Sequence, residues 1–237
     1  PSVPSFKTIN FPDSLVGYVT GEQGLIIKTT DGGLSWKILK SDLEINFRTS
    51  FFINKNLGYL GGPNGKVIKT SDGGNTWSFL DLGSYQDVYS LFFPSSQIGY
   101  AGLQGNWIYK TTDGGTTWFS IPVINTVISL YFLDTQIGYV GCNDNNIGKT
   151  TDGGTTWNWF PQNIWSSYSV YFLDYNKGFV VGAPGNFILK TVNGGTTWDY
   201  INTNINDWQN QITFANNTIG YSVGGGGLLK TTDAGNN

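Results

Sequence analysis

Histidine is absent from this sequence, and cysteine and arginine occur once each, as Cys142 and Arg48. Without histidine there is no imidazole general acid or base and no imidazole metal ligand. A lone cysteine excludes an internal disulfide and reads as a small buried thiol. One arginine among 13 basic residues, a net charge of −3 and only 12% charged residues leave no basic stripe of the kind that displaces counterions from nucleic acid. No apolar run approaches the roughly eighteen residues of a membrane-spanning helix, so no membrane insertion is expected. Pro1-Ser2-Val3-Pro4 carries no signal-peptide pattern.

Glycine and aromatic residues are abundant instead: 33 Gly and 16% Phe, Trp and Tyr. That balance suits many short strands joined by tight turns. Self-similarity organises it. A Gly-aromatic pair recurs at Gly17-Tyr18, Gly58-Tyr59, Gly99-Tyr100, Gly138-Tyr139, Gly178-Phe179 and Gly220-Tyr221, in steps of 41, 41, 39, 40 and 42 residues. A second landmark, Lys-Thr-[Thr/Ser]-Asp-Gly-Gly-x-[Thr/Ser]-Trp, begins at Lys28, Lys69, Lys110 and Lys149, varies at Lys190, and at Lys230 reaches Asn237 before its tryptophan. Six repeats follow, at residues 5–41, 42–82, 83–123, 124–162, 163–203 and 204–237.

Each repeat reads as four strands. Strand A is an aromatic run such as Val127–Phe132, strand B the Gly-Tyr-Val-x-Gly stretch, strand C the x-Ile-x-Lys-Thr stretch, and strand D begins at the box tryptophan. Such a sheet cannot bury both faces alone, so repeats of about forty residues predict an all-β propeller of six four-stranded antiparallel blades, the sixth lacking its outer strand, in one domain spanning 1–237. Too few residues precede strand A to supply that strand, which leaves two expectations: a sixth blade of three strands or, the favoured one, a chain continuing past Asn237 with further blades or domains, seven blades suiting the repeat type. The box residues Asp31, Trp36, Asp72, Trp77, Asp113, Trp118, Asp152, Trp157, Asn193, Trp198 and Asp233 are expected to build the turns, with Asp accepting backbone N–H bonds and Gly-Gly supplying positive φ. The lysine before each box is expected to guard a sheet edge against aggregation.

On these residues the chain resembles the Asp-box (BNR) repeat family in its Ycf48-like form. The resemblance covers essentially the whole chain. It implies a propeller of the class found in photosystem II assembly factors, sialidases, xyloglucanases and sortilin ectodomains, which fixes a fold and not an activity.

Function is therefore expected in the departures from the repeat. A-B turns and boxes should share one face, and B-C and D-A loops the other. The second face varies between blades and is the expected ligand surface. Tyr85, Trp165 and Trp208 stand at similar offsets before their A strands, beside the amides Gln86, Asn163, Asn206, Gln209 and Asn210. Flat rings stack and amides hydrogen-bond, as sugar or protein recognition requires; the competing role is packing between blades. Trp107, read as a B-C turn residue, and Trp159, on strand D, are weaker candidates. The oxygen-rich Cys142–Asn146 turn reads as a solvated turn without a metal.

No cofactor is called for. A glycosidase would need paired carboxylates, for which Asp87 and Asp207 are the loop candidates, and a sialidase would need an arginine cluster. The expected function is a non-enzymatic binding or scaffold module, extracellular, cell-surface or periplasmic, recognising protein or polysaccharide within a larger surface assembly and binding no nucleic acid. A Ycf48-like assembly factor for a membrane-protein complex and an Asp-box glycoside hydrolase are the alternatives.

Overall fold

The structure is a computed structural model describing residues 4–39, 43–162 and 165–236; Asp42, Asn163 and Asn237 lie outside them. All of its regular elements are strands, grouped in two compact units of three sheets each. In the unit Pro1–Pro122, blade one runs β1 (Phe6–Asn10), β2 (Gly17–Gly21), β3 (Ile26–Thr29) and β4 (Lys37–Leu39). Blade two holds β5 (Thr49–Phe52), β6 (Gly58–Gly61), β7 (Lys66–Thr70) and β8 (Ser78–Asp81), and blade three β9 (Val88–Phe92), β10 (Gly99–Leu103), β11 (Trp107–Thr111) and β12 (Phe119–Pro122). In the unit Val123–Asn237, blade four comprises β13 (Val127–Phe132), β14 (Gly138–Cys142), β15 (Asn146–Thr150) and β16 (Asn158–Pro161). Blade five comprises β17 (Ser166–Phe172), β18 (Gly178–Ala183), β19 (Phe187–Thr191) and β20 (Asp199–Asn202). Blade six has β21 (Gln209–Phe214), β22 (Gly220–Gly224) and β23 (Gly227–Thr231). Each is an antiparallel meander in sequence order, so the all-β fold class of six propeller blades with a three-stranded last blade is as the repeats indicate. The strands fall inside the six repeat boundaries.

The box turn is built as its composition suggests. In blade two, Thr70 Oγ1 donates to Asp72 Oδ1 at 2.9 Å and accepts from Gly74 N–H at 2.8 Å, while Asp72 also accepts from the Thr76 N–H and hydroxyl. Gly73 and Gly74 have φ of 73° and 87°, a region costly for any residue with a Cβ. The Gly73 N–H closes onto Asn56 O in the A-B turn at 2.9 Å, so boxes and A-B turns do share a face. These bonds hold the Asp31, Asp72, Asp113 and Asp152 carboxyls down at about 2: the Ser35 or Thr hydroxyl acts first at Asp31, Asp72 and Asp152, and the Thr117 N–H first at Asp113. Strand D starts one residue later than the sequence suggests, at Lys37, Ser78, Phe119, Asn158 and Asp199. The tryptophan belongs to the turn, packing on its second glycine, as Trp36 does on Gly33 with its Nε1–H donating to Gly33 O at 3.1 Å.

The core lies in the seams between consecutive blades. Tyr18 stacks on Phe52 of the next blade with ring centroids 3.7 Å apart; Tyr59 does so on Phe93, and Tyr139 on Phe172, at the same separation. A phenylalanine ring packed against it explains the glycine of every Gly-aromatic pair. A Cβ on Gly58 would sit 2.3 Å from Phe52 ring carbons and one on Gly99 2.1 Å from Phe93, so the residue is fixed by close approach and not by φ.

The box lysines depart from expectation. Tyr59 and Lys69 are a cross-strand pair on β6 and β7, and both donate to Gly114 O in the next blade's box, at 3.0 and 2.8 Å. Tyr18 and Lys28 converge on Gly73 O, Tyr139 and Lys149 on Gly194 O, and Lys190 reaches Gly235 O. Each ammonium also lies 5.2–6.0 Å from its partner ring's centroid. These lysines latch one blade to the next instead of guarding an edge; the cross-strand register aims them along the seam. Burial lowers the pKa of Lys28, Lys149 and Lys190 and pushes the Tyr18, Tyr59 and Tyr139 hydroxyls up to about 12, which keeps all three tyrosines donors.

Candidate functional site

The opposite face joins B-C loops to D-A loops by backbone bonds. Gly24 donates to Ile45 O, Gly65 to Gln86 O and Asp144 to Trp165 O, at 2.6–2.8 Å. The B-C loops of blades one, two and four thus brace the chain entering the next blade, and the side chains at the tips are left free to project.

In the first unit, residues 82–88 carry Tyr85 at their tip. Asp81 Oδ1 accepts from Gly83 N–H at 2.7 Å, and Ser84 Oγ from Gln86 N–H at 3.1 Å. On this braced loop Tyr85 is 93% exposed. Beside it is a cluster that the sequence did not announce: Arg48 pairs with Asp87 at 2.8 Å and lies over the Tyr89 ring, while Asp87 also accepts from Asn64 N–H. Four residues from three separate stretches gave no motif to find. Trp107 is the first residue of β11, paired with Pro122, and not a B-C turn residue as expected; the turn is complete in the three residues Gln104, Gly105 and Asn106, the last two with φ of 86° and 70°. It is 39% exposed.

In the second unit, Trp165 N–H donates to Ala183 O and its carbonyl accepts from Asp144 N–H, both at 2.7 Å. Trp208 O accepts from Gly225 N–H at 3.0 Å, and Trp208 N–H donates to Asp207 Oδ1 at 2.8 Å. The two tryptophans flank the Ala183-Pro184-Gly185 loop: a Cβ on Gly185 would meet the Trp208 Cα at 2.4 Å. Their rings are 71% and 52% exposed, so they do not fill seams. Asn206 and Asn210 are exposed beside them, as Gln86 is beside Tyr85. Gln209 is fully buried, against expectation, because it begins β21 and points inward, its Oε1 accepting from Ser222 Oγ at 2.8 Å. Trp159 packs over Gly148, where a Cβ would meet its ring at 2.7 Å, and is structural. In the Cys142–Asn146 turn, Asp144 and Asn145 both have positive φ, 62° and 67°, which makes it a hairpin turn, and burial pushes the Cys142 thiol up to about 12. Among the described residues no cluster of carboxylates and thiols is placed to hold a metal.

The model of the photosynthesis system II assembly factor YCF48 family matches residues 3–121 and 119–204. The chain belongs to that family. Among solved structures, "YCF48 bound to D1 peptide" is 17% identical, with 98% of this chain and 94% of that chain covered at a TM-score of 0.56. YCF48 from Cyanidioschyzon merolae is 15% identical over 100% and 98% of the two chains, at 0.54. The Niastella koreensis GH74 enzyme is 19% identical at a TM-score of 0.81, but this chain spans only 45% of its length. At these identities the likenesses speak for the propeller fold alone. No curated protein matches. The extracellular, cell-surface or periplasmic location expected from composition is overturned by the family, which is named for photosystem II assembly. Low charge and abundant Asn, Thr and Gly reflect blade turns and carry no address.

Proposed function

We propose that this protein is a non-catalytic assembly factor of the YCF48 kind, holding an extended segment of a membrane-complex subunit on its loop face. The binding-module expectation narrows in this reading from a surface scaffold to a protein-binding assembly factor, and polysaccharide drops out as the partner. The family match supports it, and so does the single observation that carries the site: Trp165 and Trp208 stand exposed on either side of a braced loop. Rigid aromatic anchors beside exposed amides suit an extended peptide, whose apolar side chains stack while its backbone hydrogen-bonds. With Arg48 as the only arginine, and that one paired to Asp87, recognition rests on stacking and amides and not on a guanidinium cluster. The Arg48 pairing also speaks against Asp87 as a glycosidase carboxylate.

The test is a titration of the protein with a D1 peptide, followed by tryptophan fluorescence. Saturable binding weakened at least tenfold in Trp165→Ala/Trp208→Ala is expected. Absence of binding by the unmodified protein, or equal binding by the variant, refutes the reading.

A further inference from the structure

The cations of the second unit all lie at the box end of its blades. Lys149 and Lys190 reach carbonyls of the next box, Lys230 holds the same place opposite Tyr221, and Lys177 follows Asn176, whose carbonyl accepts from Gly194 N–H of the box. This unit has no arginine and no glutamate. Asp134 and Asp174 sit in A-B turns, Asp152 and Asp233 in boxes, and Asp199 opposite Lys190. Asp144 and Asp207 are therefore the only charges of its loop face among the described residues. Each is bonded to one of the exposed tryptophans: Asp144 N–H donates to Trp165 O, and Asp207 Oδ1 accepts from Trp208 N–H. Asp144 is exposed in its hairpin turn, and Asp207 is half-buried, its Oδ2 lying 2.6 Å from where a Cβ on Gly225 would be. Among the described residues no cation pairs with either, whereas in the first unit Lys7 pairs with Glu22 and Arg48 with Asp87. Trp165, with a blade on either side, is the more exposed of the two rings.

From this placement we infer that the loop face of the second unit selects basic peptide segments, whose lysine or arginine side chains stack on Trp165 and Trp208 and pair with Asp144 and Asp207. The inference rests on the loop-face reading above and names the chemistry of the segment held there. A cation over an indole is drawn to the negative face of the ring, and a carboxylate alongside adds a charge-assisted hydrogen bond. Neither carboxylate is committed to a cation of its own chain, so binding breaks no internal ion pair. A face of one sign also repels acidic segments, so the two aspartates set selectivity as well as affinity.

The probes are three end-capped synthetic peptides, Gly-Ser-Leu-Xaa-Val-Xaa-Leu-Ser-Gly with Xaa as lysine, glutamine or glutamate, titrated calorimetrically into the protein beside a D1 peptide. The lysine peptide should bind at least tenfold more tightly than the glutamine peptide, by a margin that shrinks as salt is added, and the glutamate peptide should not bind. Asp144→Asn/Asp207→Asn should bring the lysine peptide to the level of the glutamine peptide with circular dichroism unchanged. Asparagine keeps the acceptor that Trp208 N–H uses and tolerates the positive φ of Asp144, as Asn145 does next to it. A lysine peptide that binds no better than the glutamine peptide, or equally well to the folded double variant, overturns the inference. If the D1 peptide still binds and depends on the two tryptophans, the loop-face reading stands without it; if neither the D1 peptide nor any of the three binds, both fall.

Discussion

The two faces of each blade are built from the same strands and behave differently. On the box face the recurring polar side chains of the repeat are partnered, as in blade two: Thr70 and Asp72 within the turn, and Tyr59 and Lys69 across the seam. On the loop face the backbone is equally well braced, but the side chains at its tips project into solvent. Regularity has gone into holding blades together, and irregularity is confined to where a partner would be met. Variation between repeats is informative when the backbone around it is fixed.

Breaking the seam should have the largest effect. Phe93→Ala removes the ring stacked on Tyr59 and edge-on to Trp118, and by the usual cost of large-to-small core changes should destabilise by about 3–5 kcal/mol in denaturant titration. Gly58→Ala drives a Cβ into the Phe52 ring and should cost about 1–3 kcal/mol from overpacking. Lys69→Met keeps the stem but loses the bond to Gly114 O, an effect of about 1 kcal/mol in the same assay.

The box aspartates sharpen the comparison through pH. Their folded pKa of about 2 lies below the unfolded value of 3.8, so their contribution is complete above about pH 4 and is lost as pH falls towards 2. Asp72→Asn should leave the fold intact at neutral pH and flatten the acid-unfolding profile in that window. Blade five already shows why: Asn193 Oδ1 accepts from Thr191 Oγ1 and Thr197 N–H, both at 3.0 Å, and its amide donates to Thr197 Oγ1. A steeper acid profile in the variant would contradict this account. On the loop face, Tyr85→Ala should change stability by no more than about 0.5 kcal/mol.

The repeat period and the strand patterns made the blades legible in the sequence, because each blade is a local meander whose pairing needs no long-range information. The Asp-Gly-Gly turn was legible for the same reason. The seam was not: that Lys28 meets Tyr18 follows from their cross-strand register, but that both meet Gly73 of the next blade depends on how two sheets stack. The exposure of Trp165 and Trp208 was undecided in the sequence, since an aromatic before a strand suits a seam or a surface equally well. Gln209, one residue beyond Trp208, shows how little separates the two: the pleat turns one side chain out and the next one in.

The most direct test measures stability and D1-peptide affinity in the same preparations of the unmodified protein, Trp165→Ala/Trp208→Ala and Lys149→Met. The account predicts that the tryptophan variant keeps its denaturation midpoint and loses affinity at least tenfold, while Lys149→Met loses stability and keeps affinity. Affinity that tracks stability across the three proteins would contradict it.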